Sequence, residues 1–362
     1  MTWIRIIVWL ALLGAVQAEE GFRPLFNGRD LSGWVVVNTA PSTWSFNPEG
    51  YLVCSGKPIG EIRTERMFQN FILELEWRHL VPKGNAGIFV WADDITARGQ
   101  PFHRGVEVQI LEEAYGNTRS YTTHGDIFPI HGAVMTPVNG RGGSRAFPIE
   151  NRAKPSPEWN HYRIECRDGN ISLAVNGKVV TRGERCSPRK GYLCLESEGG
   201  VVHYRNVRIQ ELPDTPVDPQ DVAIVNRGFR SLYTGVDLTG WKTGEGWKTN
   251  DWILSSTGLS DARTEEQFDG DLGFIVDFRF GKEAEFASVG LRGAKIVLDP
   301  AGPALEPTGK WNRLEGTVSG DTLSVTINGQ RADQKTGLIS SGALWLGSNG
   351  AVDWANIYVR KP

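Results

Sequence analysis

The sequence predicts an all-β protein built from two tandem antiparallel β-sandwiches, and three observations carry that reading. One pattern occurs twice: Leu25-Phe26-Asn27-Gly28-Arg29-Asp30-Leu31-Ser32-Gly33-Trp34 returns as Leu232-Tyr233-Thr234-Gly235-Val236-Asp237-Leu238-Thr239-Gly240-Trp241. Later anchors return in the same order, Trp159-Asn160 as Trp311-Asn312, Val175-Asn176-Gly177 as Ile327-Asn328-Gly329, and Asn206-Val207-Arg208-Ile209 as Asn356-Ile357-Tyr358-Val359. Short runs alternate apolar and polar residues with period two, the mark of half-buried strands. The 43 glycines and 13 tryptophans suit tight turns between strands that carry aromatic side chains. No segment sustains a 3.6-residue period, so little helix is expected.

Individual strands follow from that alternation. Residues 71–78 read as a half-buried strand, and residues 106–110 put Glu107 and Gln109 on one face with three aliphatics on the other. Residues 162–166 and 171–175 form a predicted hairpin through Arg167-Asp168-Gly169-Asn170. Asn176-Gly177, the strongest two-residue hairpin signal, follows directly. Residues 191–196 and 202–209 supply further strands. The polar faces of the Glu107 strand and of the Glu74/Glu76 strand are expected to line an outer surface.

Residues 1–18 read as a secretory signal peptide: Arg5 gives the positive start, Ile6 to Val16 is apolar, and Val16-Gln17-Ala18 is a small-residue cleavage site. The apolar run of roughly 11 residues falls short of the ~20 that span a bilayer. The chain is therefore expected to be exported, periplasmic or extracellular, with no stable membrane insertion after cleavage. A first domain is assigned to 19–212, a linker with three prolines and three aspartates to 213–225, and a second, reduced domain to 226–362. A net charge of −3 offers no basic surface for nucleic acid. Four cysteines in an exported chain invite disulfides, and Cys166 with Cys186 is the favoured pair.

The two copies differ in chemistry. All six histidines and all four cysteines lie in the first copy. The stretch Trp34–Trp159 (125 positions) outruns Trp241–Trp311 (70 positions) by 55 residues, while register is kept within two residues afterwards. The excess includes Tyr115 to Lys154 and holds Thr123-His124-Gly125-Asp126-Ile127-Phe128-Pro129-Ile130-His131-Gly132-Ala133. Gly and Pro make this a loop, where binding and catalytic residues collect. Glu107, His124, Asp126 and His131 are the candidate catalytic set, because imidazole titrates near neutral pH and a carboxylate can be tuned toward it. Glu107, His124 and His131 equally suit a hard divalent cation. Their spacing matches no standard metal motif, and the same side chains could instead tie the loop down by hydrogen bonding. Candidate substrate-binding residues are Arg63 for a hydroxyl or carbonyl, Asn85, Gln109 and, as a stacking face for a pyranose, Trp91. His79, His103, His161 and His203 are expected to be structural or on the surface. Trp247, Trp252, Trp345 and Trp354 suit either a sugar platform or the core of the second copy.

The ordered set Leu-Phe-Asn-Gly-x-Asp-Leu-x-Gly-Trp (25–34), Asn-x-Gly-Ile-Phe (85–89), Glu-Val-Gln-Ile-Leu (107–111), Glu-Trp-Asn (158–160), Val-Asn-Gly (175–177) and Arg-Asn-Val-Arg-Ile (205–209) resembles the 3-keto-disaccharide hydrolase family. The match spans about Gly21 to Leu212, and the second copy looks like the same family reduced. The resemblance implies concanavalin A-like jelly-roll domains and cleavage of glycosides already oxidised at C3. A 3-ketone acidifies the C2 proton, so a modest base can remove it; β-elimination then expels the C1 group, with or without readdition of water. An oxidised glycoside or disaccharide is the implied substrate, with a divalent metal as an option. Two alternatives stay open. One is a non-catalytic lectin-like protein. The other is a conventional retaining glycosidase with carboxylates ~5–5.5 Å apart, against which Gln109 replaces the middle acid of the Glu-x-Asp-x-x-Glu strand of laminarinase-like enzymes.

Overall fold

A computed structural model describes residues 21–361, and the signal segment 1–18 lies outside the described residues. Strands dominate, and the helical pieces among the described residues are three single 3₁₀ turns, Pro41–Thr43, Glu113–Tyr115 and Pro219–Asp221. Residues 23–211 form one sandwich of a nine-stranded and a six-stranded sheet; residues 230–360 form another from an eight-stranded and a five-stranded sheet. The strand order is the same in both. The first sandwich adds one edge strand per sheet, Val134–Pro137 and Ile127–Ile130, and both belong to its extra segment.

Alternation decides the layers. In the six-stranded sheet, Val36, Ile62, Leu195, Ile88, Val108 and Ile127 stand side by side across six strands. They face the nine-stranded sheet, whose Leu73, Leu75, Trp77, Tyr162 and Ile164 complete the core. Both hairpin signals hold: Asp168-Gly169 (φ 49° and 76°) and Asn176-Gly177 (φ 47° and 86°) take the left-handed conformations that a two-residue turn needs.

Two expectations are corrected. The Glu107 strand (Gly105–Leu111) lies in the six-stranded sheet and the Glu74/Glu76 strand (Phe71–His79) in the nine-stranded one, so their polar residues face outward on opposite sides. Period two fixes which residues share a face, but not which sheet a strand joins. The four cysteines are buried free thiols, Cys166 and Cys186 included, although Cys186 is near enough to help burial raise the Cys166 thiol. Near the end of the segment 213–225, Ile224 N–H donates to Asp93 (2.9 Å), and just beyond it Arg227 pairs with Asp94 (3.0 Å).

The sandwiches share a small apolar seam of Val37, Ile95, Ile275 and Tyr358. They also differ at one connection. Residues 93–104 join the Asn85–Ala92 and Gly105–Leu111 strands, whereas the corresponding strands of the second sandwich, Phe286–Leu291 and Ala294–Leu298, meet at the tight turn Arg292-Gly293.

Candidate active site

The outer face of the six-stranded sheet carries an acidic cluster. On either side of the apolar row stand two polar rows, Glu61–Glu196–Gly87–Gln109 and Arg63–Cys194–Phe89–Glu107–Phe128. Gly87 leaves room between two carboxylates: a Cβ there would lie 2.8 Å from Glu107 Oε1 and 2.8 Å from Glu196 Oε2. Glu198 follows at the end of the Tyr192–Ser197 strand. An amide relay orients it, with Gln109 donating to Asn85 Oδ1 (2.9 Å) and Asn85 Nδ2 donating to Glu198. The 93–104 loop roofs the other end and presses His103 against Glu61, through the His103 backbone N–H (2.9 Å) and through Nδ1. Arg145 stacks over the Phe128 ring and is held by Asp126 at 3.0 Å.

Burial sets the protonation. Glu61, His103 and Glu196 are buried and Glu107 is 6% exposed, while Asn85, Glu198, Phe128 and Arg145 are half-buried and bring the cluster to solvent. Desolvation, then the charge of Glu198, holds Glu107 well above the usual carboxylate range, with Arg145 opposing. Glu196 is raised well above it by desolvation and then by Glu107 and Glu198. Glu198 is pushed up by desolvation to about 7, against the Asn85 hydrogen bond. Three neighbouring carboxyls therefore hold protons at pH values where a solvated Glu is ionised. Glu61 Oε1, Glu196 Oε2 and His103 Nε2 are buried with no hydrogen-bond partner among the described residues. Each such atom costs ~1–3 kcal/mol until something pairs with it, and cost of this kind gathers at functional sites.

The predicted residues separate into those the fold brings together and those it does not. Glu107, Gln109 and Asn85 belong to the cluster, and Asp126 reaches it through Arg145. His124 is half-buried beside Thr123, with Glu113 and Asp126 as its charged neighbours and no contact to Glu107; desolvation lowers its pKa. His131 occupies a left-handed turn position (φ 53°) on the surface, and its charged neighbour is His103. Glu107, His124 and His131 thus do not converge as metal ligands. The donors that do converge are Glu61, His103 and Cys194, whose ligand atoms lie within 4.8 Å of one another. Burial raises the Cys194 thiol well above its ordinary range, so a metal there must displace a proton. Arg63 is consumed by structure, donating to Asp94 O (2.8 Å), Thr64 O (2.9 Å) and Asn226 (3.0 Å). Trp91 is fully buried with its indole N–H on Gln69 O (2.9 Å), so it offers no face to a sugar.

Glu61, His103, Cys194, Glu196 and Glu198 escape sequence reasoning. A signal existed in the comparison of copies. The strand registers pair Glu61 with Asp261, Glu107 with Lys295, Glu196 with Gly347 and Glu198 with Asn349, so the second sandwich keeps one acid of the four. Alignment by strands, which the sequence does not print, is what exposes that loss. A separate cavity of about 720 Å³ lies over the outer face of the nine-stranded sheet, but its Glu74 and Glu76 are ion-paired with Arg163, Arg208 and Arg205.

A jelly-roll sandwich with crowded acids on one sheet face is a frame for carbohydrate chemistry. The chain belongs to the family of 3-keto-alpha-glucoside-1,2-lyase-like domains, which matches residues 21–210. It is thus a carbohydrate-active protein of glycosidase type. No protein of curated function matches the sequence. A solved structure from Parabacteroides distasonis, described as a candidate glycosyl hydrolase, is 21% identical over 54% of this chain and 95% of its own, with a TM-score of 0.42. A carbohydrate-binding module of Bacillus subtilis is 12% identical over 49% of this chain and 96% of its own (TM-score 0.36). A Bacillus licheniformis beta-glucanase is 13% identical over 53% and 97% (TM-score 0.35).

Proposed function

We propose that this chain cleaves 3-keto-glycosides by removing the C2 proton and eliminating the C1 substituent, acting outside the cytoplasm. The observation that carries the reading is the group of three neighbouring carboxyls whose protonation burial has shifted upward, one of them to about 7. Glu198, at the solvent side of the cluster, is the base: a carboxylate with affinity for protons near working pH removes a carbon-bound proton made acidic by the adjacent ketone. The C2–H electron pair forms the C1–C2 double bond as the C1–O bond breaks. Glu107, kept protonated by burial beside Glu196, gives its proton to the leaving oxygen. The products are an enone sugar and the free alcohol, and addition of water across the new double bond makes the net reaction a hydrolysis. Arg145 supplies positive charge beside Glu107, where negative charge develops on the sugar. The base is thereby assigned to Glu198 in place of His124, which has no contact with Glu107.

The test offers the purified protein p-nitrophenyl glucoside and its 3-keto derivative side by side. Release of nitrophenol from the keto compound alone is the expected result, with formation of the enone followed by mass and absorbance. Cleavage of the unoxidised glucoside would overturn the reading in favour of a conventional glycosidase, and binding without turnover would favour a lectin. Export rests on the signal-like residues 1–18 and is tested by the mass of the mature N-terminus.

A further inference from the structure

The 93–104 loop, which delivers His103 to Glu61, is anchored at its far end by the second sandwich. It is a small hairpin, closed by the Thr96–His103 bridge and by Ala97 N–H to Phe102 O (2.9 Å). Its tip enters the outer face of the eight-stranded sheet. There Asp277 accepts the Gly99 N–H (2.7 Å), Arg313 donates to Thr96 O (3.0 Å), and Asn356 Nδ2 donates to Ala97 O (3.0 Å) and Gln100 O (3.1 Å). Asn356 Oδ1 accepts from Thr96 Oγ1 at 2.8 Å. These three residues also lock one another, since Arg313 pairs with Asp277 at 2.7 Å and Asn356 donates to Asp277 at 2.7 Å. Asp277 and Asn356 are buried, and Gly99 lies so close to the Trp311 ring that a Cβ there would come within 2.1 Å of it.

We infer that the second sandwich sets the geometry of the site on the first, with Asp277, Arg313 and Asn356 as positioning residues that hold His103 on Glu61. This rests on the acid cluster being the site of reaction. The connection is short: two residues, Pro101 and Phe102, separate Gln100, held at the tip, from His103, so a displaced tip moves the imidazole. A buried network with every member paired has one arrangement of low energy, which is what positioning requires. The matching chemistry has left the second sandwich while its grip on the loop is complete, and this division gives the acid-poor sandwich a task.

The experiment uses the full chain with Asn356→Ala and, separately, Gly99→Ala, which drives the loop tip off Trp311 while leaving the side chains of Asp277, Arg313 and Asn356 unaltered. Two readouts are taken: the imidazole signals of His103 by proton–nitrogen NMR across pH without substrate, and kcat, KM and pH profile on 3-keto-p-nitrophenyl glucoside. Both variants are expected to shift the His103 signals and to lower kcat about 100-fold, the scale of an ångström of misplacement, with KM little changed and an altered pH profile. His103 signals and pH profile identical to wild type in both variants, with only the melting temperature lowered, would overturn the inference. Should the wild type leave the keto substrate intact, the reaction assigned above fails, while the NMR readout still decides whether the second sandwich positions His103.

Discussion

Glu198 concentrates the chemistry at the scale of a residue. With its proton affinity near 7, kcat/KM on the keto substrate should rise with pH through about 7 as the base ionises. It should fall again where the raised Glu107 loses its proton. Glu198→Gln should abolish turnover by at least ~100-fold and remove the rising limb, measured as a pH–rate profile. Glu196 makes the opposite bargain with stability. A carboxyl whose folded pKa exceeds its unfolded value stabilises the fold below the unfolded pKa, and that contribution is lost as pH rises toward the folded value. Glu196→Gln should therefore melt above the wild type at pH 8, by about 2–4 °C for each kcal/mol recovered, with little difference at pH 4. Of this set only Glu107 was legible, because it alternates cleanly with Val106 and Val108. Glu198 lies just past a strand end, and its role depends on Asn85 and Gln109 from two other strands.

Single strands were readable from alternation, and the Asn85–Ala92 strand shows where that reading ends. Trp91 breaks the pattern with a left-handed backbone (φ 55°) at an irregularity in its pairing, which turns the indole into the core beside Phe71. Trp91→Ala should thus cost about 3–5 kcal/mol of stability, read by chemical denaturation, with no selective loss of sugar affinity. The 93–104 loop went unread for a different reason. Its His103 has no periodic neighbours, and its partners are a carboxylate 42 positions away and a sandwich more than 170 positions away.

The whole molecule behaves as two sandwiches with one site. A chain ending after Leu212 would expose Val37 and Ile95 from the seam and strip Asp94 of Arg227. It is expected to melt lower and to lose turnover of the keto substrate, even though it retains the four acids; calorimetry beside the nitrophenol assay checks both. The two sandwiches share one strand order, and the contact between them was not legible in the sequence, because it is made by a loop that the second lacks.

That missing loop also governs how far such an arrangement can extend. By strand register, Asp277 and Asn356 correspond to Glu76 and Asn206 of the first sandwich, where Asn206 repeats the left-handed backbone of Asn356 and likewise donates to its acid. Each sandwich thus carries an acid and an asparagine at matching places, with His161 in the first where the second has Arg313, but only the first carries the plug. Head-to-tail contacts of this sort propagate into rings or filaments when every unit has both halves. Here the plug of the first unit is engaged within its own chain, and the second unit ends in the two-residue turn Arg292-Gly293. With a two-residue turn in that place, the second sandwich offers no plug to a further socket.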